Sequence, residues 1–137
     1  MMVGWTNETG INDFSGYEGF TYRINYTDGT VYFGKKNFII NRTLPPLKGK
    51  KRKRRVVKES NWRSYQGSSD WGTFKTVQKK SILRVYRSKG ALTYGEVELL
   101  VQERVLFRAD CLNNNISGKF YPKNVGTRPI KWRTKCV

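Results

Sequence analysis

The chain has 137 residues, with 27 Lys and Arg against 10 Asp and Glu and a formal charge of +17 at pH 7. This length suits one domain with its own core, and the charge predicts a polyanionic partner. Histidine is absent, which excludes Ser-His-Asp hydrolysis, histidine-zinc centres and histidine-based nucleases. No apolar run approaches the roughly 18 residues of a membrane span, and the two cysteines form no CxxC pair. We therefore expect a soluble, cytoplasmic protein with no membrane partner and no zinc ribbon.

The first predicted element is a β-hairpin. Residues 1 to 18 are polar and are interpreted as an N-terminal arm. From Phe20, FTYRINY alternates apolar and polar residues, TDG follows, and TVYFG is β-branched and aromatic, a pattern typical of a hairpin. Because side chains alternate between faces, Tyr22 and Tyr32 share a face only if the loop has an odd residue count or a bulge intervenes. A three-residue loop with Gly29 left-handed would meet that condition.

The next segment, residues 38 to 60, is expected to be an irregular basic insertion. Pro45 and Pro46 forbid a continuing helix. The run KGKKRKRR carries seven positive charges in eight positions, and no acidic residue follows it until Glu59. Such charge density cannot be buried, and it favours contacts with phosphates.

The second half of the chain predicts two helices and one strand. A short helix, capped within residues 68 to 70, is expected to run through Val77. SILRVYRS at 81 to 88 predicts a third strand, and the pattern at 93 to 108 predicts the longest helix. Residues 117 to 137 are interpreted as a basic tail. The expected fold is α+β, with a small, mainly antiparallel three-stranded sheet flanked by helices.

In order and spacing these elements resemble the GIY-YIG nuclease domain over about residues 19 to 116. Phe20-Thr21-Tyr22 and Tyr32-Phe33-Gly34 stand where the family has its two tyrosine-bearing motifs. Arg42 follows Gly34 at the distance of the family's arginine, and Glu96 lies on the helix after the third strand. LNNNI at 112 to 116 stands where the family often has a late asparagine, and the stretch from 50 to 69 resembles one found in several phage-encoded members.

The resemblance implies a metal-dependent endonuclease that hydrolyses phosphodiester bonds in double-stranded DNA and is encoded by a phage or mobile element, as homing endonucleases are. Tyr22 would act as general base toward water, with Tyr32 orienting it. Arg42 would hold the scissile phosphate through forked hydrogen bonds. Glu96 would bind Mg²⁺ or Mn²⁺ through a hard oxygen ligand, and Asn115 is an expected orienting residue.

With this resemblance, the chain is divided into an arm (1 to 18), a nuclease domain (19 to 116) that contains the basic insertion 38 to 60, and a tail (117 to 137). No room remains for a separate recognition domain, so affinity for DNA is expected from basic residues. The predicted DNA contacts are Lys35, Lys36, Lys50, Lys51, Arg52, Lys53, Arg54, Arg55 and Arg63.

Helical geometry favours Glu96 over two other glutamates as the metal ligand. At about 100° per residue, Glu96 borders the apolar side of the predicted helix, while Glu98 and Gln102 point toward solvent. Glu103 lies one heptad after Glu96 and is the second candidate.

Other interpretations stay open. Taken singly, Tyr22 and Tyr32 also fit packing roles on a strand. A nonenzymatic nucleic-acid-binding protein, ribosome-associated or architectural, would need only the charge and the aromatic residues. An interaction module, such as an inhibitor, would use the basic surface against an acidic partner. The sequence specifies neither the target sequence nor the oligomeric state.

Overall fold

The computed structural model describes residues 3–67 and 75–125. Its elements are listed here in chain order: β1 (Trp5–Asn7), β2 (Gly19–Tyr26), β3 (Val31–Asn37), β4 (Ile39–Leu44), β5 (Arg54–Glu59), β6 (Val77–Tyr86), α1 (Lys89–Gln102), a 3-10 turn (Val105–Phe107) and α2 (Pro122–Val125). The α+β class is confirmed.

The main sheet has four strands in the order β1-β6-β2-β3. β2 pairs antiparallel with both β3 and β6, whereas β1 runs parallel to β6. The expectation of a three-stranded sheet flanked by several helices was therefore wrong, because one long helix, α1, covers the sheet within the described residues. The extra strand, Trp5–Asn7, has three residues, which is too short for the alternation that identifies strands in a sequence.

The hairpin register is confirmed. Asn25 pairs with Val31 and Ile24 with Tyr32, which leaves a three-residue loop after Tyr26. The Tyr26 N–H donates to the Thr30 carbonyl at 2.9 Å, and Gly29 has a φ of +88°. Only glycine adopts that conformation without strain, so the loop sequence fixes which faces the hairpin side chains occupy.

The two faces of the sheet bury different clusters. One face is aromatic, with Phe20, Tyr22 and Ile24 of β2 packed against Phe38 and Trp62. The other face packs against α1, where the buried cluster is Val31, Phe33, Leu100, Val105 and Ile116. Strand alternation in β2 and β3 produces this division, because even-numbered positions face the aromatic cluster and odd-numbered positions of β3 face the helix.

Residues 38 to 60 are not irregular. β4 and β5 form a separate two-stranded antiparallel sheet, here called the ribbon, in which Ile39 pairs with Glu59 and Leu44 with Arg54. The two prolines lie in the loop between the strands, where they interrupt no pairing. The β-branched residues in VVK and FII supplied the strand signal that the charge run obscured.

The remaining element bounds also differ from expectation. The long helix begins at Lys89, because the Ser88 hydroxyl caps it by accepting the Ala91 N–H at 3.1 Å. It ends at Gln102 rather than 108, because Arg104 adopts a left-handed φ of 52°. Val77 begins strand β6 instead of ending a helix. The predicted cap at 68 to 70 lies outside the described residues.

Candidate active site

The two motif tyrosines lie on the same face of the sheet. Their ring centroids are 6.4 Å apart, and the Tyr65 ring meets Tyr22 edge-on at 5.9 Å. Tyr22 is fully buried, whereas Tyr32 is half-buried. The paired-tyrosine arrangement is therefore present, with Tyr32 nearer the surface.

Gly34 provides the space that the Tyr22 ring occupies. It is paired with Tyr22 across the hairpin, and a Cβ built on Gly34 would lie 2.5 Å from the Tyr22 hydroxyl. Any larger residue would displace the tyrosine. The close approach of the Tyr22 ring therefore explains the glycine of the second motif, which lies neither in a turn nor at a positive φ.

Glu96 and Tyr32 line one cavity at the outer edge of β3. This edge cavity has a volume of about 160 Å³ and is lined by Tyr32, Phe33, Glu96, Leu100, Asn113, Asn114, Asn115 and Ser117. Tyr32 belongs to the aromatic face and Glu96 to the helix that covers the opposite face. Residues from both faces therefore meet only because β3 is the last strand of the sheet.

Glu98 and Glu103 lie elsewhere. Both line a different cavity, with Arg84, Tyr86 and Gln102. Glu98 is 3.8 Å from Arg84, and Glu103 forms a 2.9 Å ion pair with Arg108. Glu98 therefore faces a groove beside the sheet, not open solvent as expected, and Glu96 is the one of the three that shares a cavity with a motif tyrosine.

Burial and a lysine act in opposite directions on Glu96. Burial raises the pKa of the Glu96 carboxyl, while the charge and backbone N–H of Lys35 lower it. The Lys35 ammonium is held close by, donating to the Thr93 hydroxyl at 3.1 Å. The Glu96 carboxylate is thus partly buried, and the positive charge of Lys35 offsets part of the cost of burying its negative charge.

The asparagines of LNNNI have distinct contacts. Asn113 accepts the Phe33 N–H at 2.9 Å and donates to the Phe33 carbonyl at 2.8 Å, so it pairs with β3 much as a strand residue does. Asn115 accepts the Gly118 N–H at 2.9 Å and donates to Asn114 at 2.8 Å. Both line the edge cavity. The role expected of Asn115 stays a prediction. Asn113 helps to fix the cavity wall to β3, together with the Leu112 N–H, which donates to the Val31 carbonyl at 2.8 Å.

A second cavity is lined by Lys35, the lysine whose charge and backbone N–H act on Glu96. This lysine cavity has a volume of about 430 Å³ and is lined by Lys35, Lys36, Asn37, Ile39, Ile40, Asn41, Ser60, Tyr65 and Lys89. The Lys36 ammonium lies 4.3 Å from the centre of the Tyr65 ring, and burial lowers its pKa. With three lysines and no carboxylate among its described lining residues, the cavity suits an anion.

The other predicted site residues lie on the ribbon or near its base. Arg42 pairs with Val56 on the ribbon and is exposed; it is not among the described residues that line either cavity. The cations from Lys50 to Arg55 are exposed. Arg63 forms a 3.0 Å ion pair with Glu59 and lies over the Trp62 ring.

One buried charge escaped the sequence interpretation. Lys80 is fully buried, donates to the Tyr65 carbonyl at 2.7 Å and lies 4.4 Å from the centre of the Trp5 ring. Burial lowers its pKa to about 8. The third strand was expected to begin at 81, so the predicted strand did not include Lys80. The alternation of QKKSIL with Lys80 in register with Ile82 was the available signal.

Comparison with known proteins identifies the family. Residues 5–125 match the family model described as putative endonuclease segE, GIY-YIG domain. The chain belongs to this GIY-YIG family. The match spans the hairpin, the ribbon and α1, and it confirms the resemblance seen in the sequence. No curated protein and no solved structure matches the chain.

Membership of the GIY-YIG family indicates a nuclease and makes DNA the expected class of substrate. None of the helices in ranges 3–67 and 75–125 is long and apolar enough to cross a membrane.

Proposed function

We propose that the protein is a metal-dependent endonuclease that hydrolyses phosphodiester bonds in double-stranded DNA and that it is encoded by a phage or mobile element. The observation that carries the proposal is the edge cavity, where a motif tyrosine and the helix glutamate meet, with Lys35 of the lysine cavity acting on that glutamate. These groups can supply the proton acceptor, the metal ligand and the positive charge that phosphodiester hydrolysis uses.

The donor set of the edge cavity fits Mg²⁺ or Mn²⁺. Within the described residues no cluster of three or more acidic or cysteine side chains could enclose an ion. The cavity instead offers one carboxylate, a phenol and amide oxygens, which are hard donors suited to an ion that keeps several waters. Glu96 would hold the ion, which when bound would polarise the phosphoryl oxygens.

The tyrosines would divide the proton-transfer work. Tyr32 is the candidate to take the proton from the attacking water, since it is the motif tyrosine that lines the cavity. Tyr22, fully buried beside it, would then position Tyr32, which exchanges the roles expected from the sequence. Tyr26 shares the face but suits this work less, because burial and its neighbours raise its pKa to about 12.

Charge on the phosphate would be neutralised by lysines and an arginine. Lys35 and Lys36 line the lysine cavity, and an ammonium group binds a phosphate oxygen as a point charge. A guanidinium can place two forked hydrogen bonds on a phosphate, and we propose that Arg42 contacts the scissile phosphate in this way when DNA lies along the ribbon.

Plasmid cleavage tests the proposal. Supercoiled DNA incubated with the protein and Mg²⁺ should be converted to nicked or linear product, and EDTA should prevent this. Gel retardation in EDTA should persist, because the basic residues bind phosphates without the ion. Retardation without cleavage under any divalent ion would replace the proposal by the nonenzymatic alternative.

A further inference from the structure

The ribbon has two faces of different chemistry, and both are largely open to solvent. Cross-strand partners share a face, so the register places Asn41, Thr43, Arg55 and Val57 on one side, together with Ile39 and Glu59 at the first pair of the ribbon. The four residues beyond that first pair are here called the reading face. The opposite side carries Ile40, Arg42, Leu44, Arg54, Val56 and Lys58. The reading face thus combines an amide, a hydroxyl and a guanidinium with an aliphatic side chain.

Within residues 3–67 and 75–125, no side-chain hydrogen bond or ion pair is found for these four reading-face side chains, which are exposed. Val57 is 59% exposed, and Asn41, Thr43 and Arg55 are exposed as well. Amide, hydroxyl and guanidinium groups are those that form hydrogen bonds with base edges, and an aliphatic group can contact the thymine methyl. An unpacked strand face of this composition is better suited to recognition than to stability.

The positive charge of the ribbon indicates that its partner is negatively charged. Residues 40 to 58 contain nine Lys and Arg and no acidic residue. No carboxylate among the described residues lies within 4 Å of any of the nine. Uncompensated cations around an open strand pair are complementary to a duplex with its closely spaced phosphates.

The dimensions of the ribbon match the major groove. Two paired strands lie about 4.8 Å apart, and six residues span about 20 Å. The major groove is about 12 Å wide and admits a two-stranded ribbon, whereas the minor groove, about 6 Å wide, does not without distortion. Asn41 also lines the lysine cavity, so a duplex on the reading face would continue toward the candidate active site.

We infer that the ribbon enters the major groove and reads base sequence through Asn41, Thr43 and Arg55, while the opposite face and the loop contact phosphates. This inference rests on the proposed DNA substrate and adds the element that selects the sequence. Arg55 would pair with O6 and N7 of a guanine, and Asn41 with an adenine, as the geometry of these side chains favours.

Selection from randomised DNA duplexes in EDTA tests the inference independently of cleavage. The full chain should enrich a short motif. Arg55→Ala should relax one base position about tenfold. The matched variant Arg54→Ala removes the same charge from the opposite face and should keep the motif while binding more weakly at every sequence. Asn41→Ala should relax a second position. Equal effects of Arg54→Ala and Arg55→Ala, or binding without any enriched motif, would overturn the inference while leaving the nuclease proposal intact.

A modified base identifies the groove. Replacing the guanine that depends on Arg55 by 7-deazaguanine removes the N7 acceptor from the major groove only. Binding of the unsubstituted protein should fall several-fold, and binding of Arg55→Ala should not change. Unchanged binding of the unsubstituted protein to the modified duplex would show that the ribbon does not read this groove.

Discussion

The main sheet and the ribbon come from neighbouring segments of the chain, but the main sheet is mostly buried and the ribbon is mostly exposed. The main sheet buries aromatic side chains on one face and a helix on the other, and even a lysine, Lys80, is fully enclosed. The ribbon buries almost nothing and concentrates charge. Phe38 and Ser60 join the two, through a 2.8 Å hydrogen bond from the Ser60 N–H to the Phe38 carbonyl. This difference agrees with the proposal that the buried main sheet carries the catalytic groups and the exposed ribbon recognises DNA.

The largest expected effect is on the sheet side, at Glu96. Glu96→Gln should lower Mg²⁺-dependent cleavage at least about a thousandfold, equivalent to about 4 kcal/mol of barrier, because an amide is a poor replacement for the carboxylate ligand. DNA affinity should stay the same or increase, since a negative charge beside phosphate is lost. Single-turnover cleavage and gel retardation measure the two quantities.

Glu98→Gln is the matched control for Glu96→Gln. Glu98 lies on the same helix and outside the edge cavity, so this variant should cleave normally. Near-normal cleavage by folded Glu96→Gln protein would refute the assignment of the ligand.

Replacing Arg42 tests whether the ribbon contributes to the chemical step as well as to DNA binding. If Arg42 contacts the scissile phosphate, Arg42→Ala should slow single-turnover cleavage at saturating enzyme by about a hundredfold. Arg54→Ala, on the same face of the ribbon, should change affinity and leave the saturated rate alone. Equal saturated rates in the two variants would make the ribbon a binding element only.

Gly34→Ala should disturb the tyrosine pair from within. The added methyl would meet the Tyr22 hydroxyl at 2.5 Å, and overpacking of this kind costs about 1–3 kcal/mol of unfolding free energy. Cleavage should fall as Tyr22 shifts. Gly90→Ala is the control, because nothing lies within 4 Å of its added Cβ and alanine favours the helix by up to about 1 kcal/mol. Urea unfolding compares them, and a Gly34→Ala protein of native stability and activity would contradict the packing role.

The smallest effect concerns pH. Burial raises the pKa of Glu96 and Lys35 lowers it, so Lys35→Gln should raise that pKa further. A metal ligand must be deprotonated, and activity is therefore lost as pH falls through this pKa. The acid limb of the saturated cleavage rate should move to higher pH in Lys35→Gln and stay in place in Lys36→Gln. Coinciding acid limbs for Lys35→Gln and the unsubstituted protein would remove Lys35 from the environment of Glu96.

The sequence was informative where short-range pattern decides structure. Alternation and the loop TDG predicted the register that brings Tyr22 and Tyr32 to one face, whereas helical spacing was wrong in turning Glu98 toward solvent. Pattern was uninformative where long-range contacts decide. The three residues Trp5–Asn7 become a strand only because β6 offers an edge. The ribbon was hidden because its strands gain little from burial, so their alternation was weak beneath the charge.

The ribbon has two strands, and among the described residues no third strand pairs with either of its backbone edges. Open edges of β-branched sequence are templates for pairing with another chain, and lysines and arginines oppose such pairing by mutual repulsion. The cations proposed to contact DNA would thus also keep copies of the protein apart. High salt weakens that repulsion, so stock solutions should aggregate through the ribbon as ionic strength rises, and a bound duplex, by covering the strands, should protect against it.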